Sequence, residues 1–157
     1  DNTAKAIQFA IDNATTEYST VSVGPGIYNS SILIDSNGLT LAGAGADATT
    51  IVGDGENVGS QPHAAIHVDD GSGPVRNVTI EGFTIENPNG KFGIFAGTGT
   101  TNANNDGIGG LVIRDNVVQD VSTQSFGSAR TGGPAVIAQE LHRQCRIRVR
   151  QYRCLGD

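Results

Sequence analysis

The sequence predicts an all-β chain, a parallel β-helix in which short strands stack as a solenoid, closed at one end by an N-terminal α-helix. Three observations carry this reading. Strands of three to five residues, each ended by Gly, Asn or Asp, recur from residue 20 to 122. Similar steps repeat: "VTIEGFTIEN" (78–87) lies over "LVIRDNVVQD" (111–120) at an offset of 33, and "LTLAGAG" (39–45) over "VTIEGFT" (78–84) at an offset of 39. The two-residue turn signals of hairpins are few, which disfavours a β-sandwich of antiparallel strands.

The first element is helical. In "TAKAIQFAIDNA", Ala6, Ile7, Ala10, Ile11 and Ala14 fall on one face of a helix over residues 3–14, with Asn2 or Thr3 as N-cap. The period then changes to two. "STVSVGPGIYNSS" is a strand, a turn at Gly24-Pro25-Gly26 and a second strand. "SILIDSNGLTLAGAGADATTIVGDG" holds two or three more, broken at Ser36-Asn37-Gly38 and at Gly43 and Gly45. "AAIHV", the 78–87 segment, "GKFGIFAG" and the 111–122 segment continue the series. Residues expected to face inward are Val21, Val23, Ile32, Ile34, Leu39, Leu41, Ile51, Ile66, Val68, Val78, Ile80, Phe83, Ile85, Ile94, Leu111, Ile113, Val117 and Val118. About four or five coils are expected, stacked about 4.8 Å apart.

Composition bounds the function. The 157 residues suffice for one domain and include 22 Gly but no Met or Trp. With no Met, residue 1 reads as the start of a processed or excised piece. No apolar run reaches the roughly 20 residues of a membrane-spanning helix. Residues 1–126 carry four Lys/Arg against fourteen Asp/Glu, a balance of −10 that argues against nucleic acid as their partner. Three glycosylation triplets occur, at Asn13-Ala14-Thr15, Asn29-Ser30-Ser31 and Asn77-Val78-Thr79, in a chain rich enough in Asn and Thr to produce them by chance.

The segment "AIQFAIDNA…VSVGPGIYNSSILID-SNGLTLAGAGADATTIVGDG" resembles the opening of right-handed parallel β-helix proteins of the pectin lyase-like superfamily, and "VRNVTIEGFTIEN" resembles their repeated coils. The similarity covers residues 3 to about 122. It implies an extracellular or cell-surface protein, and a polysaccharide, acidic by preference, as partner. If the protein is an enzyme, it implies a lyase, glycoside hydrolase or esterase. It does not fix activity, because one fold hosts many sites. Where pectin methylesterases carry G-x-Y-x-E, this chain has "GIYNSS" with Ser30 at the Glu position, and their later Q-D and D-F-I-F-G segments are missing. Of the polygalacturonase motifs only the Asp pair occurs, at Asp69-Asp70. The chain therefore reads as the N-terminal part of such a protein, lacking the known catalytic sets, or as a non-catalytic adhesin-type scaffold.

The densest polar cluster is "HVDDGSGPVRN", with His67, Asp69, Asp70 and Arg76. Asp69 and Asp70 are the candidate ligands for Ca²⁺, a hard cation that takes carboxylate oxygens; the competing reading is an Asp-Asp-Gly turn whose carboxylates bond local backbone N–H groups. Glu81 and Glu86 are expected on a solvated outer face. The polar stretch 95–110 reads as a loop of the kind that lines binding clefts.

Residues 127–157 break the pattern. They hold six Arg against two acids and both cysteines, Cys145 and Cys154. Three readings stand: a basic arm for nucleic acid, a disulfide-stapled cap, or translation in a shifted frame, in which Arg143-Gln144-Cys145-Arg146, if encoded CGA-CAA-TGT-CGT, becomes Asp-Asn-Val-Val, the string found at Asp115–Val118. The last predicts that the coils end near residue 126 and that the tail packs poorly, leaving a coil edge open.

Overall fold

The computed structural model describes residues 4–55, 63–68, 75–97 and 109–122, together with the backbone of five strands between 124 and 155. The chain opens with α1 (Ala4–Asp12). The first coil is β1 (Thr20–Val23), β2 (Gly26–Asn29) and β3 (Ile32–Ile34). The second is β4 (Thr40–Gly43), β5 (Thr49–Val52) and β6 (Ala64–Val68). The third is β7 (Thr79–Glu81), β8 (Thr84–Asn87) and β9 (Phe92–Ala96). The fourth is β10 (Val112–Arg114), β11 (Val117–Val121) and β12 (Gln124–Ser128). β13 (Val136–Ala138) and β14 (Leu141–His142) begin a fifth, followed by β15 (Arg146–Arg148) and β16 (Gln151–Leu155).

Each strand from β1 to β14 pairs in parallel with its counterpart one coil away. Sheet A runs β1-β4-β7-β10-β13, sheet B runs β2-β5-β8-β11-β14 and sheet C runs β3-β6-β9-β12. The expected solenoid is therefore present, and the offsets read from the sequence are its register: Leu41 pairs with Ile80 and Ile80 with Ile113.

The strands are short because the corners stop them. Tyr18, Gly38, Asn77 and Gly110 all take left-handed backbone (φ 65, 70, 59 and 66°), each two residues before a strand of sheet A. Gly and Asn suit that conformation; Tyr pays for it. Between sheets A and B the same role falls to Gly82 (φ 76°) and Asp115 (φ 56°).

Alternation then fills the core. Ile32, Ile34, Leu41, Ile51, Ile66, Ile80, Phe83, Ile85, Ile94 and Ile113 are fully buried. Of the expected inward residues only Val117 differs. It pairs with Thr84, which pairs in turn with Thr50, on the outer face, because neighbours in a strand point to opposite sides and Val118 takes the inner position.

The helix spans Ala4–Asp12 and ends two residues before the expected 14, while the cap candidates Asn2 and Thr3 lie outside the described residues. Ile7 and Ile11 are buried against the first coil, as its periodicity requires. Gln8 adds a polar lock: its Nε2 donates to the Leu33 carbonyl at 2.9 Å and its Oε1 accepts from the Leu33 N–H at 2.8 Å. The side-chain amide thus imitates a neighbouring strand and closes the edge of sheet C.

Sheet pairing also runs further than residue 126. Val112 pairs with Val136 and Val117 with Leu141, each in parallel. The β-prone runs Val136-Ile137 and Leu141-His142 still allow strand pairing. The departure comes later, at β15 and β16, which form the antiparallel pair of this otherwise parallel chain among its described strands.

Candidate functional site at the face of sheet C

Connection lengths single out one face. In the first coil the links around sheet C are residues 30–31 and 35–39. In later coils they are 53–63 before β6, 69–78 after it and 97–111 after β9. The corners between sheets A and B stay short, at 44–48, 82–83 and 115–116. The long insertions therefore enter and leave at the borders of sheet C, where loops can build a site on a rigid support.

The outer faces of the sheets differ accordingly. On sheet A, Thr79 and Glu81 are half-buried, and on sheet B so are Thr84 and Glu86. On sheet C the outward row is Leu33, His67 and Phe95 in register. His67 and its neighbour Ala65 are fully buried there, and Phe95 is 6% exposed. The His67 and Phe95 rings meet edge to face with centroids 5.5 Å apart, and Phe92 lies 4.9 Å from Phe95.

His67 Nε2 donates to the Gly97 carbonyl at 2.9 Å, and the Gly97 N–H donates to the Val68 carbonyl at 3.0 Å. A buried imidazole thus pins the root of the 97–111 connection to β6. Asp69 and Asp70 follow Val68 directly but lie outside the described residues. Val68, the last residue before them, pairs with Ala96, the last residue before the 97–111 segment.

Arg76 does not join His67. It stands at the corner leading into sheet A, where its N–H donates to Asn37 Oδ1 at 2.7 Å and its backbone bridges Gly109. Glu81 and Glu86 do face outward, as expected, but each is engaged. Arg114 Nε donates to Glu81 Oε2 one coil away, and that bond, then the charge of Glu81, raises the Arg114 pKa. Gln119 Nε2 donates to Glu86 Oε1 at 2.8 Å. Among the described residues no three of His, Cys, Asp and Glu converge as a metal site.

Sequence reasoning passed over two residues here. His63, with φ 49°, bonds Gly55 through Nδ1, and its carbonyl accepts from Asn87 Nδ2 at 2.7 Å and from the Lys91 N–H at 2.9 Å. Phe95 was hidden because the inward pattern drew attention to Ile94; the doubled aromatic in "KFGIFAG" was the available signal.

Three five- or four-stranded parallel sheets, closed by short corners around one core, define the architecture. The fold is a parallel β-helix. One solved structure, pectin methylesterase PemA from Erwinia chrysanthemi, aligns with this β-helix at a TM-score of 0.45 and 14% identity, over 84% of this chain and 48% of that one. The chain thus spans about half the length of that enzyme. No family model matches the sequence, and no curated protein does.

Proposed function

We propose that this β-helix is the N-terminal part of an extracellular or cell-surface protein that binds or modifies an acidic polysaccharide along the outer face of sheet C. The observation that supports this reading is the placement of the insertions. The strand ends joined by segments 53–63, 69–78 and 97–111 all lie at the borders of that face, whose base is packed by His67 and Phe95. The base is too buried to touch a sugar, so the contacts fall to the segments rooted on it, which carry Asp69, Asp70 and the Asn- and Thr-rich stretch of 98–108.

Electrostatics sets the terms. A body with a balance of −10 repels a polyuronate. A cation held by Asp69 and Asp70 and shared with uronate carboxylates would offset that repulsion. The expected outcome is binding of polygalacturonate or alginate in millimolar Ca²⁺, lost on chelation and weakened at least several-fold by Asp70→Asn. Binding that persists in chelator, or none to either polymer with Ca²⁺ present, contradicts the proposal.

A second reading is a non-catalytic, adhesin-type scaffold. The engagement of the outward carboxylates favours it: Glu81 with Arg114, Glu86 with Gln119 and Asp54 with Ser31 Oγ at 2.8 Å all tie one coil to the next. Lyase and esterase assays on pectin and alginate separate the two, since turnover excludes the scaffold.

A further inference from the structure

The corner between β10 and β11 shows how one coil is fastened to another. Asp115 turns the chain in left-handed backbone. Asn116, 1% exposed, reaches back to the third coil: its Oδ1 accepts from the Phe83 N–H at 3.0 Å and its Nδ2 donates to the Ile80 carbonyl at 2.8 Å. Val117 then faces outward and Val118 inward. Asp-Asn-Val-Val is therefore a complete device for adding a coil: turn, clamp, outer residue, core residue.

The chain does not repeat the device at the next coil. With Val112 paired to Val136, the positions that correspond to Asp115-Asn116 are occupied by Gln139-Glu140. Among the described residues parallel pairing stops at His142, the antiparallel pair β15–β16 follows, and the charge balance changes from −10 over residues 1–126 to +4 over 127–157.

We propose that the edge of the fourth coil, on which β13 and β14 pair in the chain as it stands, is the docking surface for a fifth coil of this same protein that would take the place of that partial coil, encoded by the DNA of residues 143–154 read one base downstream, and that the reading frame changes between Ser128 and Arg143. The codon table removes the arginines and cysteines whatever the codons are, and yields the Asp-Asn pair when the Arg codon ends in A and Gln is CAA. Every Arg codon and every Cys codon has G in its second place, so in the shifted frame each begins with G and specifies Val, Ala, Asp, Glu or Gly. All five arginines from Arg143 to Arg153 and both cysteines are thereby lost. Gln144 and Gln151, each followed by a codon beginning with T, become Asn or Ser.

Arg143 to Cys145 thus reads Asp, Gly, Ala or Val, then Asn or Ser, then Val or Ala. Arg150 to Tyr152 reads the same first two sets, followed by Thr or Ile. From Arg143 to Cys154 the shifted frame stays open unless Ile147 is ATA, or Val149 is GTA or GTG, before an Arg codon that begins with A. Both strings admit the Asp115-Asn116 corner device. The first would place its Asn 28 residues after Asn116, counted from Asn116 to Gln144. Coil steps in the solenoid are 20, 39 and 33 residues, from Thr20 to Thr40 to Thr79 to Val112, so 28 lies within their range. An Asn there would clamp the Asn116 coil as Asn116 clamps the third.

Sequencing the gene from source DNA, with the intact mass of the native protein, tests this independently of any carbohydrate binding. The expected result is a one-base difference between the codons of Ser128 and Arg143, and a protein whose mass fits the shifted reading. An unbroken frame with a native mass that includes the Arg-rich tail overturns the proposal, and leaves the basic arm or the disulfide cap to explain the tail.

Discussion

Asn116 shows how a single side chain can decide whether coils stack. Its amide satisfies one N–H and one carbonyl of the neighbouring coil in a place that water does not reach. Asn116→Ala leaves both groups unpaired, at about 1–3 kcal/mol for each buried group, so urea unfolding is expected to show a loss of about 2–6 kcal/mol. A loss below about 1 kcal/mol would mean that the clamp contributes little beyond an ordinary hydrogen bond. Gly82 makes the complementary case. Its φ is 76°, and an added Cβ would stand 2.8 Å from the Gly43 carbonyl oxygen, which is backbone and cannot swing aside. Gly82→Ala is expected to cost more than the roughly 1 kcal/mol of a left-handed alanine alone. Thermal melts of Gly82→Ala beside Gly45→Ala check this, because at Gly45 φ is also positive but the Cβ meets open space. Equal shifts for the two would remove the steric part of the argument.

At the scale of elements, the cap and the sheets were legible to different depths. The i, i+3, i+4 spacing of Ile7, Ala10 and Ile11 announced a helix with one apolar face, and that face closes the first coil. Nothing in the sequence announced Gln8, because a glutamine on a helix is ordinary until a strand edge is beside it. Ile11→Ala is expected to destabilise by about 2–5 kcal/mol, as for other buried aliphatic truncations. Gln8→Ala should act locally, opening the Leu33 amide to hydrogen exchange with little change in global stability. If the Leu33 amide exchanges no faster in the variant, the strand-like lock is not formed. Sheets A and B were legible because their alternation and their Gly and Asn corners are local. The outer face of sheet C was not. Its burial depends on which coils carry insertions, and that depends on register among residues about thirty positions apart, such as His67 and Phe95. Val117 illustrates a smaller limit: two adjacent valines give no sign of which one faces the core, and only pairing with Ile85 settles it in favour of Val118.

For the whole molecule, the solenoid makes stability a matter of neighbours, each coil resting on the one before it. The repeat offsets of 39 and 33 were readable because each coil reuses an apolar step and a polar corner. The first step, 20 residues from Thr20 to Thr40, was less visible because its corner residue is Tyr18 rather than Gly or Asn. The central claim is that these steps are stacked parallel coils, and backbone nuclear Overhauser contacts in solution test it most directly. The account predicts cross-strand contacts that link Leu41 to Ile80 and Ile80 to Ile113, all in the parallel pattern of α-proton to amide proton. Strong α-proton to α-proton contacts between any two strands in the span from residue 20 to residue 122 would be the mark of antiparallel pairing, and would contradict it.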